Sequence, residues 1–433
     1  MKKLSLSLLF FGLFITLYAQ RCSYTMPASL LYLDGAKLNL KGGDTLCLEA
    51  GTKRYLQLKN LSGDSLHPIV IINKGLVIVE NKDFYYGFKL QNCTYFHLSG
   101  SGDPTQQYGI QVRSTGPKAS GLSIGGKSSD FEIDHIEIAH TGFAGVLSKT
   151  DPQCDGSVNR GIFTQKNIAF HDNYVHDTKG EGFYIGNSFY NGITKNKKCP
   201  GDTLYPHTIE NLKVFNNKVE NSGWEGIQIG CATKNTLVFN NTINGFGKQG
   251  IPPQNNGMQI GEGTRGLFYN NYIQNGGGNG IIMLGKGETI IFNNLIKNTG
   301  ESGLFTDNRD ALKGDSIVIL NNTFYNCGQN CIRWFNENTK NYFINNLFID
   351  EKANSVFLFH PATIKKTEYS NKIETDTQKL SFIKTKAGIE VPITEEESAY
   401  NISPFLKKYN LKSNKHIGFA PEKIIPNVPH TSN

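Results

Sequence analysis

The stretch FNNKVENSGWEGIQIG, residues 215–230, holds the two phrases that decide the fold. Its opening, an asparagine pair with an apolar residue two positions after it, recurs as HDNYV (with Asp for the first asparagine), FNNTI, YNNYI, FNNLI, LNNTF and INNLF. The second asparagines are Asn173, Asn217, Asn241, Asn271, Asn294, Asn322 and Asn346, spaced by 44, 24, 30, 23, 28 and 24 residues. Such periods mark a solenoid. Apolar residues alternate before each pair (Leu212, Val214 before Asn217) and resume two residues after it (Val219), which is strand periodicity. No segment between the phrases has helical spacing long enough for a helix, which disfavours helix-containing arrays, and an all-β, single-stranded right-handed parallel β-helix is predicted. Stacked asparagines would satisfy one another's amides from coil to coil. The alternation beside every pair argues against exposed loops of a low-complexity chain.

The closing phrase also recurs: AGVLSK (144–149), EGFYIG (181–186), EGIQIG (225–230), NGMQIG (256–261), NGIIML (279–284), SGLFTD (302–307), NCIRWF (330–335) and NSVFLF (354–359). Alternate side chains of a strand face opposite ways. Phe183, Ile185, Ile227, Ile229, Met258 and Ile260 are therefore expected inside. The outer face is expected to carry Leu147, Tyr184, Gln228, Gln259, Ile282, Phe305, Arg333 and Phe357. Beside them come Lys149, Gly186, Gly230, Gly261, Leu284, Asp307, Phe335 and Phe359.

Residues 1–19 read as a signal peptide: MKK, an apolar run, and a small residue before Gln20. Tyr18-Ala19-Gln20-Arg21 lacks the small residue that lipid attachment at Cys22 requires, and no later run is long enough to span a bilayer. The expectation is an exported, periplasmic or extracellular protein without a membrane anchor, read as a monomer. Eight cysteines follow the signal, and export permits disulfides. Cys154 and Cys199 fall in two insertions beside the same coils and form the leading candidate pair. Cys22 with Cys47, and Cys327 with Cys331 across a turn, are further candidates; Cys93 and Cys231 have no assigned partner. No ligand spacing suggests zinc. The formal charge of +7 includes Lys2 and Lys3 of the signal, and the remaining cations are scattered, so nucleic acid is not an expected partner.

The run GGDTLCLEAGTKRYLQLKNLSG, with HPIVI after it, resembles the opening coils of secreted bacterial polysaccharide lyases and related right-handed β-helix proteins. The resemblance is one of repeat style over roughly residues 30 to 360, leaving 361–433 as an irregular tail or cap. It implies carbohydrate chemistry, foremost β-elimination at a uronic acid. That reaction needs a cation at the carboxylate, a base for the proton beside it, and an acid for the leaving oxygen. The polygalacturonase-type NTD, DD, GHG and RIK motifs are absent, and FEIDH (131–135) only faintly resembles the WIDH strand of pectate lyases.

Candidate groups follow from the outer face. Gly186, Gly230 and Gly261 suggest a lane free of side chains, lined by Tyr184, Gln228 and Gln259, with Asn187, Asp307, Arg309 and Arg333 as further contacts for a sugar chain. Lys149 or Arg309 can neutralise a carboxylate. Tyr184 can act as base or acid, with His176 and His171 as alternatives by chemistry; His171 also fits an aromatic column (Phe215, Phe239, Tyr269, Phe292). Glu181 and Glu225, at one position of adjacent coils, suit calcium, a glycosidase acid–base pair, or turn capping. No other cofactor is implied. Insertions at residues 150–166 and 187–207 can wall off one end of the groove, favouring an end-acting enzyme on acidic oligosaccharides. Expulsion of a sugar (lyase) and of water (dehydratase) make nearly the same demands, and ulvan or alginate sources rest on the resemblance alone. The non-enzymatic alternative is a glycan-binding surface of Phe305, Phe335, Phe357 and Phe359.

Overall fold

The computed structural model describes residues 21–194, 199–337, 340–350, 356–374, 381–384, 390–393 and 417–419; the proposed signal segment lies outside them. The chain winds through short strands that stack on one another in parallel, coil on coil. Twelve strands, from Tyr32–Asp34 to Phe357–Phe359, make a first face. A second face includes Thr94–Ser99, Ser129–Asp134, Thr164–His171 and Thr208–Phe215, and a third includes Ile110–Ser114, Ile136–Ala139, Tyr174–His176 and Lys218–Glu220. The second and third faces share the long strand Ile69–Glu80 near the amino-terminal end. Alternate residues of every face point inward, where they form one continuous apolar core.

The asparagine phrases make the corner between the second and third faces. The first residue of each pair adopts a left-handed backbone, as at Asn216 (φ 54°), Asn240 (φ 55°) and Asp172 (φ 51°). Asn and Asp tolerate that conformation better than other side-chain-bearing residues. The second asparagine turns inward and is buried. The Asn217 amide donates to Asn241 Oδ1 (3.1 Å) and to the Phe170 carbonyl (2.9 Å), and the Asn241 amide donates to Asn271 Oδ1 (3.0 Å). This chain of amides runs unbroken from Asn173 to Asn371. Outside the corner, His171, Phe215, Phe239, Tyr269 and Phe292 stack in a column with centroids 4.5–4.9 Å apart.

Three expectations need correction. Regular coils continue past residue 360: Lys366–Tyr369 and Lys372–Glu374 pair with the preceding coil, and Asn371 extends the amide chain. Most of the expected cap, residues 375–433, lies outside the described residues; of those described there, Val391, Ile417 and Phe419 pack against the flank of the third face, on Leu295, Leu347 and Ile349. In the NSVFLF coil, Ile332 pairs with Phe357, Arg333 with Leu358 and Trp334 with Phe359. That one-residue shift turns Phe357 and Phe359 toward the core and Leu358 outward, because a slip by one exchanges the faces of a strand. Disulfides join Cys22 to Cys47 and Cys154 to Cys199, whereas Cys327 and Cys331 are buried free thiols side by side in the core.

Candidate active site on the first face

The recurring closing phrase forms the first face, and register fixes its outer row as Tyr32, Gln57, Lys89, Ser123, Leu147, Tyr184, Gln228, Gln259, Ile282, Phe305, Arg333 and Leu358. The glycines beside this row do not leave an open lane. A Cβ on Gly186 would stand 2.0 Å from the Gly230 carbonyl oxygen, and one on Gly230 would stand 2.1 Å from that of Asn187. At Gly261 it would meet the Ile229 oxygen at 2.6 Å. These residues are glycine so that backbone can pack on backbone.

The space above them is filled by the second insertion. The Ser188 hydroxyl bonds Tyr184 Oη (2.8 Å) and accepts from Gln228 Nε2 (2.8 Å). Two residues on, the Tyr190 amide donates to Glu262 Oε2 (3.1 Å), and the Asn191 side chain donates to the Asp310 carbonyl (2.6 Å). Arg160, from the first insertion, donates to the Tyr190 carbonyl and stacks 3.9 Å from the Tyr190 ring centroid. The Cys154–Cys199 disulfide links the two insertions. Gln228 and Gln259 are buried beneath this roof.

The roof stops at Tyr184, and there the face opens. The Lys149 ammonium lies 4.7 Å from the Tyr184 ring centroid and 2.9 Å from Asp151 Oδ1. Burial works against the lysine's charge, but Tyr184 and Asp151 outweigh it and hold its pKa above the ordinary lysine value. It is a committed cation. Toward the amino-terminal end the face continues, partly exposed, through Ser123, Lys89 and Gln57, with Gly125, Gln91 and Lys59 in the adjoining row. Gly125 has no atom closer than 3.9 Å to where its Cβ would be, so it is the glycine of this row with room beside it. Tyr86 Oη donates to Gln57 Oε1 (2.9 Å), and the Lys89 ammonium lies 5.2 Å from the Tyr86 ring centroid. These upstream residues escape the sequence reading because their coils lack the asparagine pair. Carrying the VLSK phrase back through LSIG, FKLQ and LQLK would have found them.

Other candidates lie elsewhere. The Asn187 side chain is buried and donates to the Thr150 carbonyl (3.0 Å), and the buried His207 accepts from the Thr150 amide (3.3 Å), so both position the Lys149–Asp151 segment. His176 is on the third face, bonded to Asp177 and Glu137, away from Lys149. Arg309 is tied to Glu262 (2.7 Å) and Asp307 (2.5 Å) beyond the roof. Arg333 lies further along, 5.1 Å from the ring centroids of Phe305 and Phe335.

Glu181 and Glu225 are inside the coil, 1% and 0% exposed. They share a buried column with Asn256 and Asn279, and Glu225 Oε1 accepts from Asn256 Nδ2 (3.2 Å). Burial raises their pKa values to about 8 and about 7, with the charge of Glu225 adding to the shift at Glu181. Calcium needs ionised, reachable oxygens. Two carboxyls sealed under the strands, where burial disfavours their charged forms, do not fit it, nor do they fit a glycosidase pair.

The comparisons agree with this architecture. The family model described as "Right handed beta helix region" matches residues 205–373. The chain is a right-handed parallel β-helix. An alginate lyase from Paenibacillus sp. str. FPU-7 superposes with a TM-score of 0.51 at 14% identity, covering 73% of this chain and 99% of that one. A GH136 lacto-N-biosidase from Eubacterium ramulus gives 0.50 at 12% identity, covering 78% of this β-helix and 63% of the biosidase. Both are carbohydrate-active enzymes. None of the curated proteins matches the chain in sequence, and no described helix is long and apolar enough to cross a membrane.

Proposed function

We propose that the protein is an exported β-eliminating enzyme acting on the ends of acidic, uronate-containing oligosaccharides, with its reaction centre at Lys149 and Tyr184. The observation that carries this is the meeting of the Lys149 ammonium and Tyr184 in one partly exposed corner, where the roof formed by Ser188–Asn191 closes the face on one side.

A uronate carboxylate against Lys149 loses charge repulsion to the enolate that forms when the adjacent carbon gives up its proton. Tyr184 is the group placed to move that proton. The electron pair of the broken C–H bond becomes the new carbon–carbon double bond, and the bond from the neighbouring carbon to its oxygen breaks. That oxygen leaves protonated: as water when it is a free hydroxyl, as the shortened glycan when it carries another sugar. Ser188 and Gln228 fix the phenol, and Lys59, Lys89 and the amides of Gln57 and Gln91 give the open side a character suited to an acidic chain. The roof allows a chain to extend in one direction only, which supports action at an end.

The test is the absorbance of an unsaturated uronate on mixing the mature protein with acidic oligosaccharides, repeated with Lys149→Ala and Tyr184→Phe. Each substitution is expected to lower kcat/KM by about 10²–10⁴. Activity retained in both variants would remove this assignment.

A further inference from the structure

On the second face, away from this corner, His97, Glu132 and Asp134 bring one nitrogen and two carboxylate oxygens within 4.8 Å of one another. The register is the cause: His97 pairs with Glu132, and Asp134 pairs with His171, so three successive coils each contribute outward side chains to one spot. His171 Nε2 stands 2.7 Å from Glu132 Oε1 and 3.8 Å from Asp134 Oδ2, and His97 Nε2 bonds that same Asp134 oxygen.

The groups around this cluster hold it in place. Asp134, with a side chain only 5% exposed, has its other oxygen occupied by Ser99 Oγ (2.5 Å) and His135 Nδ1 (2.6 Å), which leaves Oδ2 turned to the two imidazoles. His171 Nδ1 bonds Asp172 (2.7 Å), and its ring stacks on Phe215. A carboxylate on the far nitrogen is the arrangement that orients a metal-ligating histidine. Glu132 is exposed, and a cleft of about 650 Å³ lined by His97, Glu132 and Lys213 gives an ion access.

We propose that His97, Glu132, Asp134 and His171 form a binding site for a divalent first-row transition ion, which cross-links three coils. Two imidazoles with two carboxylates suit zinc and its neighbours. Calcium, which takes six to eight oxygens, is poorly served by them. His176 supplies an internal control: it has the same pattern, Nδ1 on Asp177 and Nε2 near Glu137 (3.3 Å), but the strand partner that corresponds to Asp134 is Ala139.

The experiment titrates Zn²⁺ into chelator-stripped full-length mature protein by calorimetry, with metal content after gel filtration and thermal melting as second readouts. Wild type and His176→Gln are expected to retain one ion per chain and to melt at higher temperature with Zn²⁺. His97→Gln and Glu132→Gln, both at accessible positions, are expected to bind at least tenfold more weakly and to lose the melting shift while keeping the wild-type circular dichroism. The proposal is overturned if wild type retains no ion, if both variants bind like wild type, or if only His176→Gln loses binding. Elimination activity is not a readout here, so failure of this site and failure of the Lys149 assignment are separable.

Discussion

A side chain's neighbours, more than its type, decide its role in this protein. Glu181 and Glu225 look like paired catalytic carboxylates in sequence, yet they occupy a column otherwise held by amides. Burial raises the folded pKa of Glu225 from 4.5 to about 7, so the unfolded chain releases its proton first and stability falls as pH rises between those values. The loss is on the order of 3 kcal/mol by pH 7 and levels off above it. Glu225→Gln supplies a neutral group, so the variant is expected to melt higher than wild type at pH 8 and to show a flatter profile between pH 5 and pH 8. A variant less stable at pH 8 would mean that the carboxylate has a partner there. Lys149 and Tyr184 were legible from strand parity, but their closeness was not, because the turn that carries Lys149 toward the phenol is set by the bonds that Asn187 and His207, from other coils, make to Thr150.

The strands and corners were legible because each coil repeats one physical problem, a buried amide at a left-handed turn. Asn241→Ala would leave the Asn217 side-chain amide and the Asn217 backbone N–H without the ladder bonds they make to Asn241 Oδ1. The expected cost is roughly 2–6 kcal/mol, about 1–3 for each orphaned group, read as a lower urea midpoint. The insertions were legible as interruptions, and their path was not, since single contacts such as Tyr190 to Glu262 carry no periodic signal. Replacing residues 188–191 by a short glycine linker is expected to uncover Gln228 and Gln259. Product analysis by mass should then shift from end products toward internal cleavage. An unchanged product pattern would show that the roof does not set the mode of action.

Across the whole molecule, the repeat defines a scaffold whose faces are chemically distinct. The first presents cations and amides upstream of a roofed groove, and the second carries the histidine–carboxylate cluster. Register across the weakest coils was harder to read: near residue 357 nothing in the local pattern distinguishes VFLF in one phase from the next, and the face assignment flipped with it. The same periodicity extended upstream would have exposed Lys59 and Lys89. If these lysines guide an acidic chain, Lys59→Gln with Lys89→Gln should raise KM severalfold while kcat changes little, and the effect should shrink at high salt. Equal KM values at low salt would place the glycan elsewhere. The central claim is elimination at Lys149 and Tyr184, and its most direct measurement is the ultraviolet absorbance of an unsaturated uronate when purified mature protein meets a panel of acidic oligosaccharides, with product masses taken alongside. The account predicts a rise with wild type that Lys149→Ala and Tyr184→Phe abolish, with masses showing loss of water or of a terminal unit. A flat trace across the panel, with glycan binding still detected, would contradict it.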